Sequence, residues 1–304
     1  MKIFIASIAP PYHTDRMTDD TALPEPEPGP PPREAKHVVD TLIEERAPRL
    51  MTRPRLWATV KAVAYPALGY RKAVALVDAI HDRRGVDTLD WARDFLHLDV
   101  EALNLDAVPS TGGCVVIANH PGGIADGVAV WDALRARRPD ACFFANRDAL
   151  RVCPGLEDVV LPVEWRKDQR SRERARETVR AALMAFQSGR CVVIFPAGRM
   201  AEWSWKTGGL VEKPWQVTAV SFARRFGVPI IPMGVKQRMP LVYYALAQIN
   251  EELKDMTVFQ GFMGKKKARY RLAFGDAIDP KTLPASEAEA TETVKQVCEK
   301  LAWD

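Results

Sequence analysis

The sequence predicts an α/β protein, with a central, mostly parallel sheet flanked by helices and an N-terminal helical segment before it. Two observations carry this. From about Gly113 onward, short β-branched runs alternate with longer stretches whose apolar residues recur at helical period. Such alternation produces parallel strands joined by crossover helices. Earlier, Leu56 to Ile80 shows helical spacing alone: Leu56, Trp57, Val60, Val63, Tyr65 and Leu68, then Val74, Leu76, Val77 and Ile80.

Taken in order, the elements begin after a leader. Residues 24–32 read PEPEPGPPP, six prolines in nine positions. Proline fixes φ and lacks the N–H that helices and inner strands need. Residues 1–33 therefore read as an extended or disordered acidic leader, and the ordered body begins between Glu34 and Arg55. Ile3 to Ala9 is apolar behind the single Lys2 but short, with no clear small-x-small cleavage site, so it only mimics a secretory signal. A start at Met17 would remove it. Leu56 to Ile80 is expected to be helical, with a kink or break around Pro66 and Gly69. It reads either as a core-facing helical pair or as a hairpin resting in a membrane surface. The chain thus divides into the leader 1–33, a helical, possible interfacial segment 34–100 and an α/β domain 101–304.

The strand runs of that domain are CVVIA (114–118), ACFFA (141–145), DVVLPV (158–163), CVVIFP (191–196) and VPIIPMGV (228–235). Helical patterns lie near 126–138, 168–188 and 214–226, and two late strands near 257–261 and 269–275 flank the sheet. Pro229 and Pro232 lack ladder donors, so their strand calls for edge or bulge geometry. Ser286, with Glu289 three residues on, forms a capping box that opens a closing helix near 286–302.

Composition bounds the function. Of 304 residues, 47% are hydrophobic, which excludes wholesale disorder. The longest uncharged stretch, Ala107 to Ala125, holds two prolines, four glycines and His120. It reads as strand and loop, not as the roughly 20 mostly apolar residues of a spanning helix. The net charge of +4 hides an asymmetry: residues 1–45 carry nine acids and four bases, and the rest carries thirty acids and thirty-nine bases. Cys114, Cys142, Cys153, Cys191 and Cys298 are odd in number and lack metal-motif spacing, so they read as buried, reduced thiols in a cytoplasmic protein.

The chemistry concentrates at strand ends. Asn119-His120-Pro121-Gly122-Gly123-Ile124-Ala125-Asp126-Gly127 directly follows CVVIA. A histidine in a Gly/Pro turn at a strand's C-terminal end is where α/β proteins display reactive groups, and Gly122 and Gly123 leave room for substrate. Asp126, opening the next helix, can return to the His120 ring, fix its tautomer and leave the other nitrogen as a general base. Taken singly, the two also read as a loop histidine and an N-cap. Phe195-Pro196-Ala197-Gly198-Arg199 places a second turn on the same edge, with Arg199 able to hold an anion. Asn146-Arg147-Asp148 is a third, where Arg147 reads as an anion contact or a helix-start residue.

As an ordered set, N-H-x4-D, then Phe-Arg, then F-P-x-G, then V-P-I-I-P resemble the glycerolipid acyltransferases, the PlsC-like 1-acylglycerol-3-phosphate O-acyltransferases and their relatives. The likeness covers about Gly112 to Val235. The flanks look nearest a bacterial subgroup of hemolysin-related or lyso-ornithine-lipid acyltransferases, with NHPxGGxDG-like and FPAG blocks. The resemblance implies a glycerol-phosphate-acyltransferase-like fold, His120 as the base that deprotonates an acceptor hydroxyl, and Asp126 as its orienting partner. It implies that Asn119, Gly122, Gly123, Arg147, Phe195, Pro196, Gly198 and Arg199 line the substrate site. It also implies an acyl-CoA or acyl-carrier-protein co-substrate, a lyso-lipid acceptor, no further cofactor or metal, and a peripheral place on the cytoplasmic face of the inner membrane.

The sequence departs from the pattern of the phosphatidic-acid-forming members, F-P-E-G-T-R-S. Ala197 stands at the Glu position, and Arg199, Met200 and Ala201 stand at Thr-Arg-Ser. The phosphate-binding arginine is thus displaced or absent, and an acceptor with a carboxylate, such as a lyso-ornithine-type or other lyso-aminolipid, fits at least as well. Phosphatidic acid synthesis, a non-catalytic lipid-binding protein of the same fold and a thioesterase are the alternatives. Seven bases against three acids in Arg166 to Arg180, and Lys265-Lys266-Lys267 with Arg269 and Arg271, read as solvated faces or as attraction to anionic headgroups, ahead of nucleic acid. Trp203, Trp205 and Trp215 read as core, acyl-chain wall or interface anchors.

Overall fold

The computed structural model describes residues 36–164, 166 and 169–303; the expected leader, 1–33, lies outside them. Nine strands are present among these residues: β1 (Asp99–Leu103), β2 (Cys114–Ala118), β3 (Cys142–Asn146), β4 (Val160–Val163), β5 (Cys191–Ile194), β6 (Glu202–Ser204), β7 (Gly209–Val211), β8 (Ile230–Lys236) and β9 (Arg269–Phe274). Seven form one sheet in the order β1-β9-β8-β2-β5-β3-β4, and β6 and β7 pair as a separate antiparallel hairpin. All neighbours in the large sheet are parallel except β8 and β9.

Five helices precede the sheet: α1 (Val38–Glu45), α2 (Pro48–Met51), α3 (Pro54–Ala67), α4 (Tyr70–Ile80) and α5 (Gly85–Leu96). Then come α6 (Ile124–Leu134), α7 (Asp148–Val152), α8 (Arg172–Gln187), α9 (Thr218–Phe226), α10 (Leu241–Ile249), α11 (Glu251–Met256), α12 (Val258–Met263) and α13 (Glu287–Trp303). The expected break between α3 and α4 falls at Leu68 and Gly69, where Gly69 has φ +70°.

Strand side chains alternate between two apolar layers. Cys114, Val116, Ala118, Val193, Met233 and Val235 face a core completed by α1, α4, α5 and α6. Val115, Ile117, Val192 and Ile194 face the opposite core, completed by α8, α9 and α13. Both faces of β2 and β5 are buried, which explains their unbroken apolar runs. All five cysteines are buried and free.

One expectation is corrected and two are narrowed. Residues 257–261 form no strand: Val258–Met263 is α12, and the Thr257 hydroxyl donates to the Lys254 carbonyl at 2.7 Å. Of the two geometries expected for the proline strand, the edge is excluded, since β8 lies between β2 and β9 with Pro232 inside it and Pro229 just before it, and the bulge is found. The strand escapes the proline problem through a one-residue slip. Met233 pairs with Phe274, yet Ile230 bridges Ile278, so the opposing chain carries an extra residue beside Pro232. The third concerns the basic runs. Arg166 is buried against Glu45, Asp148 and Glu164, Arg174 pairs with Glu164 at 2.6 Å, and Lys266 covers the Phe95 ring at 3.9 Å. Arg269 pairs with Asp99, and Arg271 donates to the Leu301 carbonyl. Arg166 and Lys265 are therefore spent inside the fold, while Arg170, Arg172, Arg176, Arg180, Lys266, Lys267 and Arg269 remain on exposed faces.

Candidate active site

Because β2, β5, β3 and β8 run parallel, their C-terminal ends share one sheet edge. The antiparallel β9 brings its N-terminal residues to that edge. Immediately after β2, the Asn119 side chain exchanges two hydrogen bonds with Val235 of β8. Its Nδ2 donates to the carbonyl at 2.9 Å, and its Oδ1 accepts the N–H at 2.7 Å. This pins the next residue. The N–H of His120 donates to Glu212 Oε1, and its carbonyl accepts the Ala201 N–H at 3.1 Å.

The His120 ring stacks on Phe195, with centroids 4.5 Å apart. Its Nδ1 lies 2.9 Å from Asp126 Oδ2. Nε2 makes no hydrogen bond among the described residues, and the side chain stays 20% exposed, so this nitrogen is available from outside. Asp126 is fully buried in the first turn of α6, where the helix N-terminal field favours an anion. Oδ2 also accepts the Gly122 N–H at 2.8 Å. A carboxylate on Nδ1 makes that nitrogen the protonated one and leaves Nε2 as the acceptor. The arrangement can take a proton from an approaching hydroxyl.

The glycine pair serves a different end from the one expected. A Cβ on Gly122 would lie 2.2 Å from Asp126 Oδ1 and 2.6 Å from the Tyr270 hydroxyl, and one on Gly123 would lie 2.9 Å from Met200 Sδ. The room these glycines leave is filled by the protein's own atoms, and Gly122 lets the Asp126 carboxylate seat against the turn. In the second turn, the Gly198 N–H donates to the Phe195 carbonyl at 3.0 Å, and Gly198 has φ +64°, which disfavours a side chain. The Pro196 carbonyl accepts the Gln216 N–H at 3.0 Å, and Arg199 is exposed, its charge acting on Asp255 and Tyr243. Arg147 stands in another group. It holds Glu177 of α8 at 2.6 and 3.2 Å and lines a polar cavity of about 410 Å³ with Glu45, Arg151 and Arg166. The structure thus gathers Asn119, His120, Gly122, Asp126 and Phe195 into one contact group and seats Arg147 in an ion cluster.

Sequence reasoning gave no site role to four residues beside that group. Glu212 accepts the His120 N–H and, at 2.6 Å, the indole N–H of Trp215, which is buried core. Burial pushes the Glu212 carboxyl up, against the pull of both donors and of His120. Gln237 presses on Gly122, Tyr270 faces Asp126, and the Lys265 ammonium packs over the Tyr270 ring at 5.9 Å. Only Tyr270 had a local signal, as the polar-tipped aromatic on the buried face of an alternating strand with Leu272 and Phe274. Beside this edge a groove of about 640 Å³ runs between the β6–β7 hairpin and the end of β8, walled by Trp203, Leu210, Lys236, Gln237, Arg238 and Trp303.

Residues 99–236 match the family model described as Acyltransferase. The chain carries an acyltransferase domain. The matched span begins with β1, contains His120, Asp126 and the F-P-x-G turn, and ends with β8. The enzyme is 27% identical over 170 residues to a lyso-glycine lipid O-acyltransferase of Phocaeicola vulgatus, an alignment covering 56% of this chain and 58% of that one. It is 23% identical over 278 residues to a lyso-glycine lipid O-acyltransferase of Bacteroides thetaiotaomicron, covering 86% of this chain and 96% of that one. Among solved structures, the 1-acyl-sn-glycerophosphate (LPA) acyltransferase PlsC of Thermotoga maritima superposes with a TM-score of 0.46 at 16% identity, covering 86% of this chain and 93% of that one. The resemblance read from the motifs and the mostly parallel sheet read from the strand runs are both borne out.

Proposed function

We propose that this acyltransferase moves a fatty acyl group from an acyl thioester, acyl-CoA or acyl-carrier protein, to the hydroxyl of a lyso-lipid, with His120 as general base. The observation that carries the reading is the 2.9 Å pairing of His120 Nδ1 with the buried Asp126, which leaves Nε2 open on the strand-end edge. Nε2 takes the proton of the acceptor hydroxyl as its oxygen attacks the thioester carbonyl. Asp126 stabilises the imidazolium so formed. The C–S bond then breaks, and the leaving thiolate takes the proton back from Nε2. No acyl-enzyme is required, because the thioester is already activated.

A lyso-aminolipid bearing a carboxylate is the favoured acceptor. Both relatives are named for a lyso-glycine lipid, and Ala197 and Arg199 depart from the phosphate-binding pattern. The Trp-walled groove beside the catalytic edge offers Lys236 and Arg238, which form no ion pair among the described residues, to such a headgroup. Peripheral association with the cytoplasmic face of the inner membrane fits α3. That helix buries only Trp57, exposes Leu56 and Val63, and carries Arg55 and Lys61.

The test is a purified assay with labelled acyl-CoA and acyl-carrier protein, each offered lyso-glycine lipid, lyso-ornithine lipid and lysophosphatidate. Acyl transfer to an aminolipid is expected, with His120→Ala lowering it by about a thousandfold. Preference for lysophosphatidate would move the reading to phosphatidic acid synthesis, and free fatty acid released without acceptor would move it to a thioesterase. Full transfer by His120→Ala would sink the mechanism.

A further inference from the structure

We infer that Tyr270 is a positioning residue for acyl transfer, its hydroxyl donating to the free oxygen of Asp126 so that the carboxylate's other oxygen stays aimed at His120. The inference rests on the general-base reading above but concerns a residue beyond the matched span, on β9.

The argument begins with two orphaned atoms. Asp126 uses Oδ2 twice, for His120 Nδ1 and for the Gly122 N–H, while Oδ1 is buried and completes no hydrogen bond. The Tyr270 hydroxyl is likewise buried and completes none. Buried polar groups in folded proteins are almost always partnered, so two unpartnered groups in one place call for each other. They are in one place: both press on the point where a Gly122 side chain would start, at 2.2 Å for Oδ1 and 2.6 Å for the hydroxyl. Their chemistry is complementary, since a carboxylate only accepts and a phenol can donate. Burial first, and then the charge of Asp126, push the Tyr270 phenol far above its ordinary range, so it keeps its proton.

The surroundings hold the ring for this purpose. Tyr270 is wholly buried, and its neighbour in the parallel pairing is Val100 of β1. The Lys265 ammonium, anchored on the Arg238 carbonyl, caps the ring. The antiparallel course of β9 delivers this side chain to the edge carrying His120; a parallel β9 would have put its C-terminal residues there instead.

The consequence is orientational. A carboxylate bound through one oxygen can turn about its Cβ–Cγ bond, which swings Oδ2 off the imidazole. A donor on the second oxygen prevents the turn, as partners one step removed from a reacting group commonly do. Tyr270 itself touches no reacting atom.

Tyr270→Phe removes the hydroxyl and keeps the ring. We expect kcat about tenfold lower, unchanged KM for both substrates and a lowered melting temperature, since the buried Asp126 oxygen loses its donor. In an Asp126→Asn background the same substitution is expected to have no further effect. A second readout is the proton NMR signal of His120 Nδ1–H, expected to shift in Tyr270→Phe. Wild-type kcat and an unmoved proton signal in Tyr270→Phe would overturn the inference. So would an equal loss in both backgrounds, which would mark plain packing. His120→Ala separates the two readings: if it is inactive while Tyr270→Phe is wild-type, only this inference falls; if it is fully active, the general-base reading falls first.

Discussion

Asn119 and Val235 are paired as two strand residues would be, except that one partner is a side chain: its amide gives and takes one hydrogen bond with the Val235 backbone, at 2.9 and 2.7 Å. The pairing continues the sheet one residue past the end of β2 and fixes where His120 begins.

Asn119→Ala leaves a buried N–H and a buried carbonyl of Val235 without partners, a loss of about 1–3 kcal/mol for each. Asn119→Asp keeps the acceptor but sets a charge against the carbonyl. Both variants are expected to melt lower than wild type and to lose kcat, with Asp no better than Ala. Thermal melts and initial rates check this; a stable, active Asn119→Asp would contradict it.

Glu212 receives two N–H donors, one on each oxygen. Glutamine has one accepting oxygen, and its NH2 would face a donor. Glu212→Gln is therefore expected to lose on the order of 1–3 kcal/mol of stability and to lower kcat more than KM, because the main chain of His120 shifts. Denaturant titration beside steady-state kinetics separates the two effects.

Glu45 and Glu164 make the fold acid-sensitive. Burial alone would raise each carboxyl. Hydrogen bonds and charge from Arg151 and Arg166 hold Glu45 below its ordinary 4.5, and Arg166, with Arg174, does the same for Glu164. A carboxyl lowered on folding contributes stability that is complete above its unfolded value and is lost as pH falls through its folded one. Denaturation midpoints should fall between 4.5 and about pH 3, and the double variant Glu45→Gln, Glu164→Gln should flatten that fall. An equally steep loss in the variant would assign the acid lability elsewhere.

Lys265 acts in the opposite pH range. Burial takes its ammonium down to about 8 from 10.5, with Asp126 opposing and Arg238 adding to the fall. In that window the unfolded chain binds more protons than the folded one, so stability rises with pH. The gain is on the order of 1–3 kcal/mol. Lys265→Met should lack the rise; parallel slopes for the two proteins across the window would refute the assignment.

Much of this molecule was legible in the sequence where the signal was local. The runs CVVIA and CVVIF became β2 and β5 because strands buried on both faces carry unbroken apolar residues. Asp126 could be paired with His120 because a helix that starts at Ile124 returns its first turn toward the preceding loop. β1 was missed because Asp99-Val100-Glu101-Ala102-Leu103 is an edge strand with charged residues between its apolar ones. Thr257-Val258-Phe259 looked like a strand by composition, yet the Thr257 side chain turns back on Lys254 and the chain continues as helix. Glu212 and Tyr270 reach His120 and Asp126 only through tertiary packing, across about ninety and about one hundred and forty residues of chain. No local spacing encodes such partners.

The hydrogen bonds around His120 have a bearing on the order in which the protein matures. Asn119 needs β8, His120 needs Glu212, and β8 is itself flanked by β9 and covered by α13, both of which are made only after β8. A nascent chain that has emerged as far as residue 236 already carries every residue of the matched span. It still lacks the strand and helix that hold β8 from its far side. Catalytic competence is therefore expected to trail synthesis, with His120 present in a partly made chain but not yet held in place.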